Sequence, residues 1–163
     1  MASIVFTTAS GTTTLTAEDG AGDQAVSIPR TSTLVGTDIA NTFTANQTFD
    51  NGIIEEYNAV TSSSNATTCD LNDGNNFSHT LTENTTFTFS NPASSGKVSS
   101  FTLKIVQDAS ASGFTVTWPA AVDWAAATAP TLTATASAVD YFVFITHDGG
   151  TTWYGFTAGQ AMG

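Results

Sequence analysis

The chain is poor in the residues that usually carry chemistry at a protein surface. It has one cysteine, Cys69, so no intrachain disulfide can form, and its only histidines are His79 and His147. Basic residues are limited to Arg30, Lys97 and Lys104, against fourteen Asp and Glu, for a formal net charge of -11. Without clustered Lys and Arg nothing neutralises a phosphate backbone, which excludes a nucleic-acid partner, and anionic membrane surfaces are disfavoured for the same reason. No apolar run approaches the roughly 20 residues of a spanning helix, and "MASIVFTTASGTTT" has neither a basic leader nor a long apolar core, so no secretion signal is expected there. Charged residues make up only 10% of the chain, well under the roughly 25% of an ordinary soluble domain.

Threonine, serine and asparagine carry the polar surface instead. These side chains lose little rotamer entropy when ordered, whereas Lys, Arg and Glu lose up to about 2 kcal/mol each. Such a surface suits a protein that packs into a large static assembly. Four N-x-S/T sequons (Asn46, Asn65, Asn76 and Asn84) are by-products of an Asn- and Thr-rich chain.

Helical periodicity is almost absent. Short alternating runs are separated by Gly, Asn, Asp, Pro and Ser, which predicts an all-β fold. "SSFTLKIVQ" places Phe101, Leu103 and Ile105 on one face, and "GFTVTWP" aligns Phe114, Val116 and Trp118. "NFSHTLTENTTFTFS" contains two strands, one with Phe77, His79 and Leu81 and one with Phe87 and Phe89, joined by a hairpin turn at Glu83-Asn84. "VDYFVFIT" is apolar on both faces, Val139, Tyr141, Val143 and Ile145 against Phe142 and Phe144, so it is central or lies at a subunit interface. "PAAVDWAAATAPTLTATAS" is an irregular excursion that returns as a strand. About eight strands after residue 50 predict a β-sandwich or jelly-roll-like domain over 51–163. Residues 1–50 hold short β-runs and few apolar positions; they read as an extended N-terminal β-arm with a small hairpin, too thin to fold alone.

"DLNDGNN" offers Asp70, Asn72 and Asp73 as oxygen donors, but its glycine comes one position early for a calcium loop and Leu81 stands where the late acid belongs, so it reads as a turn. Glu55 and Glu56 are adjacent and on a strand point to opposite faces, which rules out a glycosidase pair, while Asp108, Asp123 and Asp140 sit at strand ends or in loops. No G-x-S-x-G elbow appears. Cys69 reads as a half-buried structural thiol and His79 as a packed histidine, and Trp118, Trp124 and Trp153 as mostly core residues with a sugar groove as the minority reading. "HDGGTTW" lies between two apolar runs and reads as a glycine turn closing the last strand pair, not as an active site. No catalytic, cofactor or metal site is assigned.

The C-terminal run "GFTVTWPAAVDWAAATAPTLTATASAVDYFVFITHDGGTTWYGFTAG" resembles a module of tailed-bacteriophage virion proteins, and "NTFTANQTF" resembles a linker of phage tail-fibre proteins. The likeness runs from Asn41 to Gly159 and carries no catalytic residue. It implies a structural, non-enzymatic virion protein on the exterior of the particle, assembled in the host cytoplasm. The chain's shortness points to a capsid decoration (cement) protein, a homotrimer bound to the major capsid protein or another virion protein. The alternative is a tail-fibre or tail-spike tip domain that binds a host receptor or glycan. Interface candidates are Ile4, Phe6, Leu34, Phe43 and Phe49 in the arm and Tyr141, Val143 and Ile145 in the strand with two apolar faces.

Overall fold

A computed structural model of the chain describes residues 3–8, 11–16, 43 and 46–162. Its contacts divide into two units, Met1–Phe49 and Asp50–Gly163. In the first, β1 (Ser3–Thr8) and β2 (Gly11–Thr16) pair antiparallel from Ser3↔Thr16 to Thr8↔Gly11. Leu34 and the side chains of Ile4 and Phe6 lie outside the described residues.

The second unit is all-β apart from one short 3-10 turn, Ala125–Ala127. Its first six strands alternate between two sheets: β3 (Asn58–Ala59), β5 (Asn76–Thr80) and β7 (Ser99–Val106) in one, β4 (Ala66–Asp70), β6 (Thr85–Ser90) and β8 (Val116–Thr117) in the other. Each strand therefore returns to the same sheet two elements later with its direction preserved. All four resulting pairs are parallel, with Phe77 beside Leu103 and Cys69 beside Phe89. Then β9 (Val122–Trp124), β10 (Val139–Thr146) and β11 (Trp153–Met162) complete a sheet of order β3-β5-β7-β10-β11-β9, in which β10 runs antiparallel to both neighbours.

This winding departs from the sequence reading in two places. A jelly roll is built from antiparallel strands, whereas here the first three turns of chain stack as parallel coils. The expected hairpin at Glu83-Asn84 is a corner between sheets, because β5 and β6 do not pair. Partners in a hairpin lie side by side, whereas these two strands face each other: the rings of His79 and Phe87 meet edge to face at 5.5 Å. The corner is held from the next coil, where Thr115 donates its N–H to Asn84 Oδ1 (3.0 Å) and its carbonyl accepts the Thr85 N–H (2.9 Å).

The expected alternation holds. Phe101, Leu103 and Ile105 on β7 are buried, as are Phe142 and Phe144 on β10. They join Cys69, Phe77, Leu81, Phe87, Trp124 and Trp153 in one core to which both sheets contribute. Phe89 reaches across from β6 to the rings of Phe101 and Phe144, 4.8 Å away in each case, and Phe101 also contacts Phe77 (5.6 Å) and Trp153 (5.4 Å). Replacing Phe101 by Ala empties the centre of this cluster. We expect a loss of about 3–5 kcal/mol in chemical denaturation; a loss under about 1 kcal/mol would show that the two sheets are not held through this ring.

Candidate functional site

Among the described residues, no group of three or more His, Cys, Asp and Glu side chains could hold a metal ion. The individual candidates are committed to the fold. Cys69 is fully buried rather than half-buried, and burial pushes its thiol up to about 12, far from the thiolate a nucleophile needs. His79 is buried with Nδ1 2.9 Å from the Val60 carbonyl and Nε2 3.3 Å from Thr85 Oγ1. A carbonyl only accepts, so Nδ1 carries the proton there.

The acids behave in the same way. Asp70 accepts from Asn91 Nδ2 at 2.8 and 2.9 Å and from the Asn72 N–H at 2.9 Å. These bonds hold its carboxyl below the usual range and make the "DLNDGNN" segment an Asx turn braced by Asn91. Glu55 accepts from Asn76 Nδ2 (2.8 Å), while Glu56 is exposed. Asp108 accepts from the N–H groups of Ser110 and Ser112 and from the Ser112 hydroxyl, closing its own loop.

The "HDGGTT" turn is built around Asp148. Its Oδ1 accepts from the Thr152 N–H and from the Thr146 hydroxyl, both at 2.9 Å, and these bonds hold the carboxyl low. Thr146 Oγ1 accepts in turn from the Gly150 N–H (3.0 Å). Gly149 and Gly150 have φ of +74° and +84°, and a Cβ on Gly150 would stand 3.0 Å from Pro92. Both the left-handed backbone and the close approach require glycine. His147 is exposed, and its backbone carbonyl accepts from Gly96 (3.0 Å). The turn closes β10 onto β11, and its one carboxylate is consumed in doing so.

The indoles are placed inward. Trp153 and Trp124 are 2% and 8% exposed and Trp118 is half-buried, stacked on Phe87. What the sequence reading missed is the neighbouring strand face. In "WYGFT", Trp153 and Gly155 point into the core, so Tyr154 and Phe156 point out, 45% and 52% exposed. Simple alternation along this segment was the signal. Parallel pairing of β11 with β9 then sets Asp123 beside Tyr154.

The interface candidates separate into two groups. Tyr141, Val143 and Ile145 share the outer face of β10 but are each half-buried, so this face is less bare than expected. Phe43 and Phe49 are 54% and 67% exposed, and they are followed by Ile53 (69%), Ile54 (98%) and Tyr57 (63%). No family model, curated protein or solved structure matches the chain.

Asp140 is the one acid buried in the core sheet, 3% exposed. Burial alone would raise its carboxyl. The Thr133 N–H (2.7 Å), the Ala161 N–H (3.0 Å) and the Thr133 hydroxyl (2.8 Å) outweigh that and hold it below the ordinary value. A depressed carboxyl contributes stability above its unfolded value of about 3.9, and the contribution is lost as pH falls through the lower folded value. Asp140→Asn should therefore cost about 1–3 kcal/mol at neutral pH. The gap to wild type should narrow as pH drops below about 4. A gap that stays constant in denaturation curves down to strongly acid pH would contradict this role.

Proposed function

We propose that the chain is a structural, non-enzymatic virion protein of a tailed bacteriophage: a homotrimeric capsid decoration (cement) protein that reinforces the head through its N-terminal arm. One observation carries the reading. The segment leading into the first coil leaves Ile53, Ile54 and Tyr57 largely in solvent, and Ile54 at 98% is the most exposed large apolar side chain among the described residues. Its polar groups dock on the domain, through Glu55 to Asn76 and Tyr57 Oη to Ser78 Oγ (2.5 Å), while the apolar side chains beside them find no cover there. Side chains of this kind become energetically useful on meeting another subunit, at about 25 cal/mol per Å² buried. Copies join through this segment, and repetition over a lattice turns weak arm contacts into avidity.

The stacked coils favour one alternative, a tail-fibre or tail-spike tip. Coils extend by adding further coils, and β3 and β4 stand at the open edges of their sheets among the described strands. A tip would bind host cells or surface polysaccharide directly, which a cement protein need not do.

The double variant Ile53→Ser/Ile54→Ser tests the main reading. Both side chains are exposed, so stability should change by less than about 0.5 kcal/mol. Trimerisation by light scattering and co-sedimentation with undecorated particles should both weaken at least tenfold, equivalent to about 1.4 kcal/mol. Undiminished binding by this variant would remove the exposed segment from the mechanism, and undiminished binding by the domain without residues 1–50 would remove the arm.

A further inference from the structure

A shallow depression of about 390 Å³ opens on the outer face where β9 meets β11. Its lining includes Asp123, Trp124, Ala126, Tyr154, Gly155 and Phe156. Parallel register puts Asp123 directly beside Tyr154, and Phe156 lies two residues further along the same face. The floor is fixed from below: Gly155 pairs with Trp124, and a Cβ at Gly155 would stand 2.8 Å from the Trp124 ring. The wall is the 3-10 turn after β9, where Ala126 and Ala127 hold φ of +54° and +52°.

We propose that this depression receives a cationic side chain, lysine or arginine, presented by a partner protein. Asp123 is exposed and makes no side-chain hydrogen bond or ion pair among the described residues. The chain has three Lys and Arg in all to set against fourteen acids, so its own composition supplies little to neutralise it. A carboxylate beside two exposed aromatic rings is the combination that binds a cation twice, by ion pairing and through the ring quadrupole. Guanidinium suits it best, since its planar fork engages a carboxylate while its face lies on a ring. A neutral saccharide could also stack on the rings and donate to Asp123, but it gains nothing from the full carboxylate charge that a cation would neutralise. The net charge of -11 adds long-range attraction for a basic partner. The inference goes beyond the proposed function and does not depend on where in a particle the protein sits.

The test is amide chemical-shift mapping on the full chain, titrated with the peptide Gly-Arg-Gly and separately with tetramethylammonium. Shifts should cluster at Asp123, Tyr154, Gly155 and Phe156. Asp123→Asn should weaken peptide binding about tenfold. Asp73→Asn, which removes the same charge at an exposed acid elsewhere, should leave it within about twofold. Phe156→Ser should weaken tetramethylammonium binding as well, because that ion reads the rings without hydrogen bonds. Equal weakening by the two Asp variants would mean general attraction to an acidic protein and would overturn the proposal. So would stronger binding of maltotriose at the same amides, unaffected by Asp123→Asn, or light scattering and solvent-exchange data showing that Phe156 is covered by a second copy.

Discussion

The fold depends on a contact between two sheets made by aromatic rings. Phe89 is the member of the parallel three-stranded sheet that meets Phe101, Phe144 and Trp153, with centroid separations of 4.8, 4.8 and 5.5 Å. Phe87 and Trp118 repeat the connection one step along, through His79 and through Phe142 and Phe144. A small parallel sheet cannot stand alone; strands of that kind are stable only when their apolar side is covered. The antiparallel pair β10–β11 supplies much of that cover. The coils and the C-terminal hairpin are therefore one cooperative object, and the "HDGGTT" turn matters because it fixes the register of that hairpin.

Four carboxylates serve the same fold by closing its turns and loops. Each carboxylate with a depressed value is occupied by backbone or side-chain donors that close a turn or pin a loop: Asp70 by Asn91, Asp108 by Ser112, Asp148 by Thr152, Asp140 by Thr133. Among the described residues these four carboxylates are stabilised by N–H and O–H donors. That solution suits a static part, since hydrogen-bonded Asx and Thr turns hold the backbone directly, without long flexible side chains.

Much of the hairpin was legible in the sequence. The dyad pattern of "VDYFVFIT", the glycines after Asp148 and the second run "WYGFT" specify two antiparallel strands from local information alone. The coils were not legible, because alternation states which side of a strand is apolar and says nothing about its neighbour. Phe77 pairs in register with Leu103, and Thr67 with Phe87, across separations that no local turn signal marks. The corner at Glu83-Asn84 has the residues of a hairpin, and only the Asn84–Thr115 bonds from the next coil reveal its role. The surface was half legible. Period-two alternation through "WYGF" contained the outward pair Tyr154 and Phe156, but their neighbour Asp123 came from a parallel pairing thirty-one positions away in sequence.

The exposed leading segment and the Thr-rich, Lys-poor composition are the features on which the proposed role rests. The central claim is that the protein's neighbours form the head of a phage particle. Immunogold labelling of intact virions with antibody raised against residues 58–162 addresses it most directly. The proposal predicts gold distributed over the head surface at many copies per particle. Label confined to the tail end would contradict it and favour the tip, and particles without label would remove the protein from the virion altogether.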